Sequence, residues 1–181
     1  MSSFPSAEND PTPPAAPAPQ RVALAIGLPA CGKSTWFRRQ GITPLASDEL
    51  RILLADDVNE QRYQARIFET LLHLLHVRLD IGRPVSYIDA TNLVREHRKP
   101  FVEAAKQRGC RLEAIFFDVP LDICLERNRA RERQVPEDVM RRMAAALEPP
   151  TIEEGFVRIV TVGADGQTLS DAAAARHEAR P

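Results

Sequence analysis

Apolar residues along this chain follow two alternating rhythms. Short, nearly unbroken runs stand at 22–26, 85–88, 112–119 and 156–162, with a weaker one at 42–47. Between them the apolar positions recur three and four apart, the period of one helix face. Ile67, Leu71, Leu74, Leu75 and Leu79 predict a helix over 59–81, and Phe101, Val102 and Ala105 predict one over 95–108. Met140, Met143 and Leu147 form the inner stripe of a helix opening at Val135-Pro136-Glu137-Asp138. Runs that are apolar on both faces are what fully buried parallel strands require. Strand and helix in strict alternation predict an α/β fold: a five-stranded parallel sheet with helices on both faces.

Glycine and proline mark the joints. Gly41, Gly82-Arg83-Pro84, Gly109 and Pro149-Pro150 each close a helical stretch. Residues 1–20 hold six of the 15 prolines among Ala, Ser and Asp, too little apolar surface to order a chain. They are expected to be a disordered tail, 21–163 one domain, and 164–181 an Ala-rich tail able to form a short helix. With 181 residues and 44% hydrophobic content, one core fits and a second domain does not.

The first joint carries chemistry. Gly27-Leu28-Pro29-Ala30-Cys31-Gly32-Lys33-Ser34-Thr35 satisfies G-x-x-x-x-G-K-[ST], with Val22-Ala23-Leu24-Ala25-Ile26 before it and a helical stretch after it. Strand, glycine-bounded loop and helix make a P-loop. Unpaired backbone N–H groups there face an anion, the glycines allow close approach, Lys33 adds charge at the outer phosphates and Ser34 can ligate Mg²⁺. The fold class sharpens to a P-loop NTPase that binds a nucleoside triphosphate.

Two further strand ends carry acids. Asp48 follows the run at 42–47, and Arg51 lies one helical turn on. The pair suits taking a proton from a hydroxyl while holding a neighbouring anion; a helix N-cap beside a surface arginine fits the same residues. Asp89 ends the strand at 85–89, where a Walker B aspartate stands, and Thr91 and Asn92 follow as small polar groups. Ala90 occupies the place of the second acid that hydrolytic motors use. Pro120 opens a helix expected to reach about Arg131, with Arg127 and Arg131 at i, i+4 and Arg129 and Arg133 beside them. Such a cluster reads as a phosphate-clamping lid or as a solvated basic face paired with Glu126 and Glu132.

Charge narrows the partners. The net charge of −1 excludes a generally basic nucleic-acid coat, so any polyanion must meet a local cluster. Only Lys33, Lys99 and Lys106 are lysines; the other basic residues are arginines. Three cysteines without a C-x-x-C argue against a disulfide framework. No run of 18 apolar residues and no leader pattern is present, which reads as a cytoplasmic protein with no membrane contact.

The order of these parts resembles the kinase module of the 5′-hydroxyl polynucleotide kinases, in the AAA_33 and zeta-toxin-like group of small P-loop kinases. The resemblance is carried by the loop, by Ser47-Asp48-Glu49-Leu50-Arg51, by Asp89-Ala90-Thr91-Asn92 and by Phe117-Asp118-Val119-Pro120. Cys124-Leu125-Glu126-Arg127-Asn128-Arg129-Ala130-Arg131 and Glu154-Gly155-Phe156 complete it. It implies ATP-dependent transfer to the 5′-OH end of RNA or DNA. Lys33 and the loop amides would hold the β- and γ-phosphates, Ser34 would sit on Mg²⁺ with Asp89 behind it, and Asp48 would be the general base. Arg51, Asp89, Thr91 and Asn92 would serve the acceptor, while Arg127 and Arg131 would clamp ATP. The segment from Arg131 to Gln134 is about one residue shorter than the family's lid turn, which leaves Arg133 without a role. Relatives often carry a phosphatase, ligase or other domain; here a separate partner could supply one, or the kinase works alone. A kinase of the same architecture acting on a small metabolite, nucleoside or sugar, and a non-catalytic nucleotide-binding module, are the competing readings.

Overall fold

The structure is a computed structural model and describes residues 18–174. Most of the proline-rich tail, residues 1–17, and the last residues, 175–181, lie outside the described residues. The six strands are β1 (Arg21–Ile26), β2 (Leu45–Ala46), β3 (Val85–Asp89), β4 (Arg111–Phe117), β5 (Arg158–Val162) and β6 (Thr168–Ala173). The helices are α1 (Lys33–Arg39), α2 (Ser47–Ala55), α3 (Gln64–Asp80), α4 (Arg95–Gln107), α5 (Leu121–Arg129) and α6 (Glu137–Ala146). One sheet has the order β2-β3-β1-β4-β5-β6, parallel throughout except for β6.

Alternation along β1 explains the two-sided core. Val22, Leu24 and Ile26 pack with Ile67, Leu71, Leu75, Leu79 and Phe101 of α3 and α4. Ala23 and Ala25 face the other way, onto Phe37, Cys124, Leu125 and Met140 of α1, α5 and α6. Both faces are covered, as an unbroken apolar strand demands. The chain leaves β1 toward one face and β3 toward the other, so a crevice opens between their carboxyl ends. Ligands of open α/β sheets bind at such switch points.

Four expectations need correcting. The sheet has six strands rather than five: 168–173 pairs antiparallel with β5, Arg158 opposite Ala173, where a short helix was expected. Alanine favours helix, but the open edge of β5 and the bidentate Arg158–Asp171 pair (2.8 and 2.6 Å) override that weak preference. The 42–47 run yields only Leu45–Ala46 as strand, because Pro44 has no N–H to give to the sheet. The helix expected from Asn59 begins at Gln64. Upstream, Asp57 and Glu60 accept the N–H groups of Asn59 and Arg62 (2.8 and 2.7 Å), a local pairing that competes with helix. Finally α5 stops at Arg129, short of Arg131. Asn128 is buried and holds Val135 by both backbone groups (2.8 and 2.9 Å), which turns the chain back. Among the described residues no helix is long and apolar enough to cross a membrane.

Candidate active site

The P-loop is built by close approach. A Cβ on Gly27 would come within 2.9 Å of Cys31 Sγ and 3.1 Å of the Phe117 carbonyl, and Gly32 has φ +108° at the entry to α1. Only glycine meets both demands. Gly27 N–H donates to the carbonyl of Thr91 (3.0 Å), tying the loop to the residues after β3. Lys33 is buried and folds back, its Nζ donating to the carbonyls of Gly27 (2.8 Å) and Leu28 (2.7 Å) and to Cys31 Sγ (3.5 Å). Across the β1–β3 crevice Ser34 Oγ donates to Asp89 Oδ2 (2.7 Å). Asp89 is buried, and that burial pushes its carboxyl above the usual carboxylate range. Lys33 and the Ser34 hydroxyl oppose the rise, and Arg131 opposes it more weakly, while the charge of Asp48 adds to it.

A cleft of about 980 Å³ lies beside this pair. Pro29, Lys33, Ser34, Asp48, Arg51, Asp89, Thr91 and Arg131 all border it. Asp48 and Arg51 come from the first turns of α2, which starts as soon as β2 ends. Arg51 Nη1 donates to Asp48 Oδ1 (2.9 Å), and Nη2 donates to Gln64 Oε1 at the start of α3. The Arg51 side chain is 7% exposed and that of Asp48 59%. Arg51 Nε is buried with no hydrogen-bond partner. A buried guanidinium paired at both Nη atoms and unpaired at Nε keeps an unmet charged donor beside the cleft.

Arg127 and Arg131, the arginines expected to act together, border one cavity in common. Arg127 straps two backbones, donating from Nη1 to the Cys31 carbonyl (3.3 Å) and from Nη2 to the Ala164 carbonyl (2.6 Å). It borders a second cavity of about 420 Å³ with Ala30, Gly32, Thr35, Trp36 and the 163–166 turn between β5 and β6. Arg131 borders both cavities. Arg133, left without a role by the sequence, reaches over the larger cleft. Its Nη1 donates to Asp48 Oδ2 (3.0 Å) and its Nε to Asn59 Oδ1 (2.8 Å).

Asn92 departs from the acceptor role implied for it. It has φ +49° and no exposed surface, and its Nδ2 donates to the Ala25 carbonyl (2.8 Å), so it fastens β1 rather than facing the cleft. Its neighbourhood is fixed by Arg98 of α4, which motif reading missed. Arg98, fully buried, donates to the carbonyls of Asn92 (3.0 Å), Leu93 (3.1 Å) and Glu148 (3.0 Å) and grips both oxygens of Glu154 (2.7 and 2.8 Å). An arginine within an otherwise polar helix gives no sequence signal of burial. The same holds for Gln64, which the expected helix start had placed inside α3 instead of at its mouth.

Residues 22–150 match the AAA_33 family, described as an AAA domain. The chain belongs to this family. It is 25% identical over 136 residues to the L-seryl-tRNA(Sec) kinase of Methanococcus maripaludis, covering 71% of this chain and 53% of that protein. The chain thus spans about half the length of the curated relative it matches. Among solved structures, a chain of the Pnkp1/Rnl/Hen1 RNA repair complex aligns with TM-score 0.60 and 20% identity, over 88% of this chain and 50% of that one. A sugar kinase from Janibacter sp. HTCC2649 aligns with TM-score 0.58 and 18% identity, over 81% and 87%. This AAA_33 chain therefore has the P-loop kinase fold, with a nucleotide-binding loop at its switch point.

Proposed function

We propose that this AAA_33 protein is an ATP-dependent kinase of hydroxyl acceptors, and that the 5′-OH end of RNA or DNA is its preferred acceptor. The observation that carries the reading is the entry of Asp48 and Arg51 into the same cleft as Lys33, Ser34 and Asp89. A nucleotide binder without transfer activity has no use for a carboxylate and a buried guanidinium at that place.

The residues fit the nucleotide and its metal. Ser34 and Asp89 are adjacent hard oxygen donors of the kind Mg²⁺ takes, and Lys33 and the loop amides supply positive charge. Mg²⁺ would neutralise charge developing on the transferred phosphoryl group. Lys33 would exchange its loop carbonyls for phosphate oxygens, and Arg131, standing between the two cavities, would meet the phosphate chain. Arg127 would wall the nucleoside side. Asp48 would take the proton of the acceptor hydroxyl as its oxygen bonds to the γ-phosphorus and the bond to the ADP oxygen breaks. Arg51 would hold the phosphate next to that hydroxyl, and Thr91 would line its path. Catalysis of this kind is positioning and charge neutralisation rather than covalent work.

A small acceptor is the second reading, supported by the net charge of −1. Incubation with γ-labelled ATP, Mg²⁺ and a 5′-OH oligonucleotide, beside sugars, nucleosides and a seryl-tRNA, separates the two. The proposal expects label on the oligonucleotide 5′ end and binding that weakens as salt rises. Label on a sugar or nucleoside alone would replace it with the second reading, and no label on any acceptor would leave a nucleotide-binding module. The three free cysteines fit a reducing, cytoplasmic setting.

Asp89 makes the metal step pH-sensitive. Mg²⁺ takes the ionised carboxylate, so protons compete with it. Because burial raises this carboxyl, Mg²⁺ affinity should begin to fall at a higher pH than for an ordinary aspartate of about 3.9. Mg²⁺ titrations with ATP across the acid range, on the parent and on Asp89→Asn, check this. The parent should lose affinity as pH drops, over and above the slope the asparagine variant keeps from ATP itself. Parallel curves would remove Asp89 from the metal site.

A further inference from the structure

We propose that Arg133 is an acceptor-sensing residue: it latches the base Asp48, and an acceptor with an anionic phosphate near its hydroxyl releases the latch by taking Arg133 for itself. The inference rests on the kinase reading above and deepens it by naming the acceptor class, a hydroxyl on a phosphate-bearing nucleoside.

Both oxygens of Asp48 are engaged, Oδ1 by Arg51 (2.9 Å) and Oδ2 by Arg133 (3.0 Å). Each oxygen thus has a lone pair taken by a guanidinium, and a hydroxyl that reaches this half-exposed carboxylate must share it with an arginine. The two bonds differ in kind. Arg51 is buried, anchored by Gln64 and fixed in α2, whereas Arg133 stands on the short turn between α5 and α6 and reaches Asp48 from across the cleft. The turn itself is braced by Asn128 on Val135 and by Gln134 Nε2 on the Arg129 carbonyl (3.0 Å). Only the Arg133 side chain therefore has to move. Its second tether, Asn59 Oδ1 at 2.8 Å, is neutral and lies on the same rim.

Charge decides what releases it. Five basic side chains (Lys33, Arg38, Arg51, Arg131, Arg133) border the cleft against three acidic ones (Asp48, Glu49, Asp89), and Asp89 is already bonded to Ser34. One carboxylate shared by two guanidiniums leaves a positive excess that an incoming dianion fills. A neutral acceptor offers Arg133 nothing in exchange for Asp48. When the phosphate takes Arg133, Oδ2 is freed to receive the hydroxyl proton, so the site becomes competent only with the right acceptor in place.

The test uses adenosine 3′-monophosphate and adenosine as acceptors, each also titrated for binding without ATP, on the parent protein, Arg133→Gln and Arg133→Lys. The parent should prefer the 3′-monophosphate by about tenfold or more in both kcat/KM and affinity, the scale of one charge-assisted hydrogen bond. Arg133→Gln should move the two acceptors in opposite directions: KM for the 3′-monophosphate rises about tenfold, while kcat for adenosine rises because the latch is gone. Arg133→Lys should fall between. Loss of folding lowers both activities and cannot give opposite signs. An unchanged phosphate preference in Arg133→Gln overturns the proposal, as does an equal loss with both acceptors or a rise confined to the KM of ATP. If the parent transfers to neither acceptor, a lone nucleoside is not its acceptor, which leaves the kinase reading to the oligonucleotide and sugar panel, and the binding titrations still decide for or against Arg133 as the anion sensor.

Discussion

Asp48→Asn should lower kcat for phosphoryl transfer by roughly 10²–10⁴-fold, the range of a positioned general base, while the Kd for ATP changes by less than about threefold. Asparagine keeps the shape of the side chain and its oxygen can still accept from Arg51, so the cleft is preserved. It cannot take the proton. Removing the carboxylate also leaves Arg51 and Arg133 without their shared counter-ion, facing the acceptor with a larger positive excess. The KM for a phosphate-bearing acceptor should therefore stay level or fall as kcat collapses. That split separates loss of a base from loss of a binding site, in which KM would rise. Steady-state kinetics with a 5′-OH oligonucleotide, together with ATP titration of the free protein, measure all three quantities. Turnover at the parent rate would show that Asp48 takes no proton.

How far the sequence disclosed this arrangement depended on the range of the forces involved. Two-sided apolar runs and helical periodicity are local, so the order of strands and helices could be read directly, and so could the loop from Gly27 to Thr35. The convergence of Asp48, Arg51 and Asp89 followed from one topological rule about strand ends. What stayed hidden were contacts between residues distant in sequence. Arg133 and Asp48 are 85 positions apart, and nothing in either segment signals the pair. Asn92 looked like an acceptor residue because it follows Asp89 and Thr91, yet its left-handed backbone turns the amide into the sheet. Thr168–Ala173 looked helical from its alanines, and only the free edge of β5 makes it a strand. That misreading also concealed a wall of the smaller cavity, since the 163–166 turn exists because β6 comes back.

The largest loss of stability should follow from Arg98→Met. Methionine fills much of the same volume, so the change tests charge and hydrogen bonding more than packing. It strips Glu154, only 7% exposed, of its main counter-ion, with Arg95 Nε left at 3.9 Å, and it takes a donor from the carbonyls of Asn92, Leu93 and Glu148, of which Leu93 keeps the Glu148 N–H (2.9 Å). Breaking one side of a buried pair costs about 3–5 kcal/mol. For a domain of this size that lowers Tm by roughly 10–15 °C. Removing both charges in Arg98→Met/Glu154→Leu should recover a large part of the loss, because the stranded carboxylate, rather than absence of the pair, is the main cost. Thermal unfolding of the two variants and the parent gives the comparison. A double variant no more stable than the single one would place the cost in the stranded carbonyls instead. The same carbonyls connect the effect to function: Asn92 and Leu93 adjoin Thr91, whose carbonyl receives the Gly27 N–H. Partial rescue of stability in the double variant, without rescue of ATP affinity, would show that Arg98 positions the nucleotide loop as well as holding the fold.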